Sequence, residues 1–284
     1  QKETILRRIF MNQNDAYAVV IQTINAASQL PFVKVDREEF LRKQFKDSRY
    51  LDSILEHGPQ KVFTPEALRK RAEKIIKDST TKTSFTSFVA GLPSNPVTAA
   101  VAGGADVAQY MGFALNLAQQ IAYLFGEDDL YEGNYKELPE EVQIRVISYL
   151  GIMFGASGAS ALIANVSKAA GMNLGKKVAQ KALTKTAWYP LVKKVGTIIG
   201  VNITKKSVGS IITKTVPIIG GLASGGITYI TFKPMGARLA DTFEKILNGE
   251  FEVEFDIEDE LKPEFKDSLN DSEIIDAEFS EIKE

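Results

Sequence analysis

The sequence has no cysteine and a single histidine, His57. The first absence removes disulfides, zinc-thiolate sites and thiol catalysis. The second leaves too little imidazole for a His-rich metal site or a Ser-His-Asp hydrolase. His57 sits in SILEHGPQ, just before a Gly-Pro stop, where histidine commonly closes a helix. No basic stretch followed by an apolar run and a cleavage site opens the chain, so no signal peptide is expected.

Acidic residues are missing over a long interval. No Asp or Glu occurs from Val142 to Ala240, whereas eleven Lys and two Arg fall there. The acids concentrate instead at the end. Residues 250–284 hold fifteen Asp/Glu against three Lys, a net of −12, so residues 1–249 carry +10 within an overall charge of −2. A cationic surface this long seeks anions, such as phospholipid head groups, nucleic acid, or the chain's own tail. Lys176, Lys177, Lys181, Lys185, Lys193, Lys194, Lys205 and Lys206 are the candidate anionic-lipid face. Aromatic residues are scarce in the same interval, which argues against nucleic acid.

Strand patterning and Leu-dense runs are missing too. The chain reads as helix nearly throughout: 12–29, 36–57, a Thr64-Pro65 start running to about Thr83, an apolar segment at 97–125 after Asn95-Pro96, and a helix from Pro139 through Leu150 into GIMFGASGASALIANVS. Lys-rich amphipathic stretches follow near 168–185, 188–200 and 203–214. A Gly-rich uncharged stretch, VPIIGGLASGGITYITF, occupies 216–232, and an amphipathic helix is expected at 232–247. Residues 126–139 read as a charged loop. The expected fold is all-α, a multi-helix bundle with central Gly/Ala-rich apolar helices and an acidic, flexible C-terminal tail. The expected divisions are 1–64, 65–249 and 250–284.

Three uncharged or nearly uncharged segments, 97–125, 146–167 and 215–232, approach the roughly 20 residues needed to span a bilayer. All are rich in small residues, which let helix backbones approach closely in membranes and in tight bundles alike. Gly151, Gly155, Gly220, Gly221, Gly225 and Gly226 are the candidate close-packing positions. In 97–125, Asp106, Gln109, Asn116, Gln119 and Gln120 share an arc of about 140° on one helix face. Such a stripe requires water, a polar partner or a lumen. Asp106 follows Gly103-Gly104 and reads as a helix cap or an ion-pair member, with Arg145 or a Lys as its partner.

No enzyme motif survives inspection. GMNLGKK at 171–177 has three residues between its glycines, where a phosphate loop has four. GASGAS at 155–160 has Ala159 where a nucleophile elbow needs glycine. No catalytic residue, cofactor or metal is therefore assigned.

FVAGLPSNPVTAAVAGGADVAQYMGFALNLAQQIAYLFGEDDL (88–130) and VPIIGGLASGGITYITFKPMGARLA (216–240) resemble the middle and C-terminal patterns of EcsC-family proteins. The resemblance covers roughly 65–247, with Asp106 and the 220–226 glycines at matching positions. It implies a bacterial, all-helical protein on the cytoplasmic face of the membrane, without established catalytic residues. Three functions are expected from residues and resemblance together. The first is a non-enzymatic helical protein, peripheral to or inserted in the membrane and held in check by its acidic tail. The second is a membrane-damaging effector, a toxin or antiphage arm that oligomerises into a pore lined by the polar stripe. The third is a carrier of a lipid or other apolar ligand. The partners expected are anionic membrane lipid, and a second copy or another protein through the tail.

Overall fold

The structure is a computed structural model, and it describes residues 13–80, 105–131, 137–164, 192–200 and 224–250. The tail and most of the Lys-rich interval, with Lys176, Lys177, Lys181, Lys185, Lys205, Lys206, Gly220 and Gly221, lie outside the described residues. Among the described residues every regular element is helical, and they pack as a multi-helix bundle.

Helix α1 spans Gln13–Ser28, α2 Arg37–Gln44 and α3 Leu51–His57. A 3-10 turn follows at Pro59–Lys61, then α4 at Pro65–Ser79. Helix α5 spans Ala105–Leu124, α6 Glu140–Met153 and α7 Ser224–Leu247. Residues 159–164 and 192–200 are also helical.

Local chemistry sets the boundaries. The Asp36 side chain accepts from Glu39 N at 2.7 Å and starts α2. Thr64 accepts from Ala67 N at 3.3 Å, and Pro65 occupies the first position of α4. The single helix expected over 36–57 is instead broken at Phe45–Tyr50. Arg71 Nη1 donates to the Gln44 carbonyl at 2.5 Å, which satisfies the end of α2, and Phe45 turns aside to stack on Phe63 at 5.2 Å. Helix α6 likewise ends at Met153. Gly155 (φ 73°) and Gly158 (φ 87°) reverse the chain before helix resumes at 159. At the other extreme, α7 runs unbroken through Pro234, joining two stretches that the sequence reads as separate.

Helix α5 is the centre of the bundle. Helices α1, α2, α4, α6 and α7 all contact it, and α7 also lies along α4 and α6. Leu115, Leu117, Ile121, Tyr123 and Leu124 of α5 are fully buried. Each such aliphatic side chain contributes roughly 1.5–3 kcal/mol through removal from water. The first two helices share this core through Val20, Ile24 and Leu41.

The expected spanning segments do not materialise where the structure describes them. No described helix is long and apolar enough to cross a membrane. Helix α5 comes nearest in length, but its sides are covered by five other helices of the same bundle.

Candidate functional site

The polar stripe of α5 has a partner inside the bundle, neither lumen nor water. The segment that follows α1 runs across α5 in extended form. Gln119, fully buried, donates through Nε2 to the Val33 carbonyl at 2.7 Å and accepts from Val35 N at 3.1 Å. Its amide thus reads one residue's backbone on both sides, as a neighbouring strand would. Asn116 Nδ2 donates to the Phe32 carbonyl at 2.9 Å, and Gln120 Nε2 donates to Asn116 Oδ1 at 2.7 Å. Gly112 allows the crossing, because a Cβ there would lie 2.9 Å from Val33 Cγ2. Backbone groups that no helix or sheet pairs are satisfied by amides instead. Asp106 is the second residue of α5, in the first turn, where a carboxylate is electrostatically favoured. Gln109 lies on the same helix.

This arrangement overturns the pore-forming reading. Asn116, Gln119 and Gln120 are engaged with the 32–35 segment, so they line no channel, and the described helices include none able to span a bilayer. The antiphage and toxin expectation rested on that pore and falls with it, as does insertion as a spanning helix.

At the far end of α5 the chain turns through Gly126 (φ 90°) into a buried polar node. Arg145, only 6% exposed, enters it from α6. Its Nη2 donates to the Asp128 carbonyl at 2.6 Å and its Nη1 to the Asp129 carbonyl at 3.0 Å. The Glu127 carboxylate lies farther from Nη2, at 3.5 Å. The Tyr149 hydroxyl donates to Glu127 Oε2 at 2.9 Å, and Arg37 Nε donates to the Glu127 carbonyl at 2.9 Å. Three consecutive carbonyls of the turn are therefore held by two guanidiniums. Tyr123 donates to Asp129 Oδ1 at 2.9 Å and accepts from Leu130 N at 3.0 Å. Burial pushes the Tyr149 and Tyr123 hydroxyls far above the usual phenol range. Burial also raises Tyr131, which shares a hydrogen bond with Ser28 at 3.0 Å, to about 12. For Arg145, burial alone would favour the neutral form. The Tyr149 and Glu127 side chains outweigh it, and the group is held more firmly protonated than a free guanidinium. The node fixes a turn and has no open position for a substrate. Among the described residues no group of three or more His, Asp or Glu could hold a metal ion.

Sequence reasoning reached Arg145 but paired it with Asp106, and it missed Glu127, Tyr123 and Tyr149. Two tyrosines set within otherwise apolar helices, followed or faced by GEDD, are the signal that was available.

The Lys-rich interval is represented by helix 192–200. Val192, Val195 and Ile199 are buried, while Lys193 and Lys194 are exposed. Close contacts seat the helix. A Cβ at Gly151 would lie 2.5 Å from Val195 Cγ1 and 2.8 Å from the Ala159 Cβ; one at Gly196 would lie 2.7 Å from the Tyr17 ring, and one at Gly200 would overlap the Ala16 carbonyl. Gly155, by contrast, has nothing within 4 Å of an added Cβ, and its role is the turn. Gly225 and Gly226 lie in the first turn of α7.

No family model matches the chain, and neither does any curated protein or solved structure. The EcsC resemblance gains no support from these comparisons, and what can be said of function rests on the residues themselves.

Proposed function

We propose that this chain is a non-enzymatic helical protein that binds anionic membrane surfaces peripherally, through the lysines of its acid-free interval. One observation carries the reading. Helix 192–200 buries its apolar side against the bundle and turns Lys193 and Lys194 to solvent, within 99 residues that contain no Asp or Glu. The two arginines of the same interval are spent differently. Arg145 is buried in the turn node, and Arg238 donates to the Met153 carbonyl at the end of α6. The bundle thus consumes guanidiniums internally, and ammonium groups supply the outward charge. Each lysine near an anionic leaflet contributes about 1 kcal/mol. The acidic tail, at −12, competes with the membrane for the lysines and restrains binding.

Fractionation of cells expressing the chain tests this. Release from membranes by salt or carbonate supports the reading. Release by detergent alone contradicts it, and so does complete absence from the membrane fraction.

A further inference from the structure

The bundle is electrically polar along its length, and the described helices show which end is which. Helices α5 and α7 run parallel: Tyr110 lies 4.9 Å from Phe232, and Phe125 lies 5.6 Å from Phe243. Helix α6 runs against them, with Met153 at Arg238 and Tyr149 at Phe243. Helix α4 is also antiparallel to α7, since Arg69 Nε meets Asp241 Oδ1 at 2.6 Å and Ile76 packs on Gly236. One end of the bundle therefore gathers the N-termini of α5 and α7 and the C-termini of α4 and α6. Helix 192–200 docks at that same end, where Val195 meets Gly151. Consequently residues 80 and 105, which bracket 81–104, residue 192, which follows 165–191, and residues 200 and 224, which bracket 201–223, all join the bundle there. The acidic tail departs from the opposite end, after Leu247, beside Asp241 and Glu244. The 24 residues of α7 separate the two by about 36 Å, several times the roughly 10 Å Debye length at 0.1 M salt.

Resting on the peripheral reading above, we infer that the protein stands end-on upon an anionic lipid surface. The end bearing helix 192–200 faces the head groups and the root of the acidic tail points away. The same end receives the uncharged, small-residue stretches of 81–104 and 215–223 together with the lysines. An interface of head groups and acyl chains accepts both kinds of residue, whereas a nucleic acid accepts only the cations. Helix 192–200 remains docked in this arrangement, because its apolar side is already committed to Gly151 of α6 and Tyr17 of α1.

The absence of cysteine makes the test clean. Thr197→Cys at the proposed contact end and Asn248→Cys at the tail root are each labelled with a fluorophore. Each is mixed with vesicles of phosphatidylglycerol and phosphatidylcholine that carry a head-group quencher. The expected result is several-fold quenching at position 197 and little at 248, with both labelled proteins co-sedimenting. Equal quenching at both positions, or stronger quenching at 248, overturns the end-on arrangement while leaving surface binding intact. Failure of the unlabelled chain to co-sediment overturns both readings, most plainly if it binds duplex DNA instead.

Discussion

Replacing Arg145 with Met removes the cation that organises the 127–131 turn, and its consequence can be worked from the bonds it makes. The guanidinium gives its short contacts to the carbonyls of Asp128 at 2.6 Å and Asp129 at 3.0 Å, and it lies 3.5 Å from Glu127. Methionine fills much of the volume but donates nothing. Two buried carbonyls then lose their donor, and the Glu127 carboxylate loses its cation. Stranding one member of a buried pair costs about 3–5 kcal/mol, and Tyr149, still donating to Glu127 at 2.9 Å, moderates the loss. For a chain of this size the corresponding fall in melting temperature is roughly 6–20 °C. Glu127→Gln should cost less, about 1–2 kcal/mol, because Arg145 keeps both carbonyls and the tyrosine still finds an amide oxygen. Urea unfolding followed by ellipticity at 222 nm measures both. The reasoning is refuted if Glu127→Gln destabilises as much as Arg145→Met, since the ion pair and not the carbonyl clamp would then hold the turn.

Four further outcomes are expected. Gln119→Leu strips the donor and acceptor from Val33 and Val35 and should lower stability by about 2–4 kcal/mol in the same urea assay, more than Asn116→Ala, which frees only the Phe32 carbonyl. Gly126→Ala should destabilise by at least about 1–2 kcal/mol, because φ is 90° and the new Cβ would overlap the Gln60 amide; restoration by adding Gln60→Ala would identify the overlap as the larger part. High pH should unfold the bundle: Tyr110 and Tyr131 titrate near 12 in the fold against about 10 when unfolded, and Tyr123 and Tyr149 are raised too, so stability is full below about pH 10 and falls by about 1.4 kcal/mol per tyrosine per pH unit above it. Absorbance at 295 nm should then rise together with loss of helix, and tyrosinate formation near pH 10 with the helix intact would contradict it. Lys193→Gln with Lys194→Gln should weaken binding to phosphatidylglycerol vesicles about 30-fold, from about 1 kcal/mol each, and deletion of 250–284 should strengthen it.

The helical class was legible because caps and apolar periodicity are local. Thr64-Pro65 and Asp36 start the helices they announce. The breaks were not legible, because their causes lie elsewhere in the chain. The end of α2 depends on Arg71, 27 residues away, and the end of α6 on Arg238, 85 residues away. Within the candidate site the Asn116–Gln119–Gln120 stripe was visible, and so was its need for a polar partner. Its occupant was not visible, since a segment such as 32–35, with Val33 and Phe32, advertises apolar side chains while it is the backbone that meets the amides. A lumen and a crossing backbone ask for the same residues on a helix face, so the sequence alone does not choose between them. The spacing of Gly151 and Gly155 shows the same limit: the first is where Val195 packs, and the second is where the chain turns.

Binding of the purified full-length chain to vesicles across a salt series tests the central claim most directly. The account predicts co-sedimentation with phosphatidylglycerol-containing vesicles at low salt, progressive release as added salt screens the lysines, and no binding to pure phosphatidylcholine. Binding that is equal on neutral and anionic vesicles and persists at 1 M salt, or no binding to either, would contradict it.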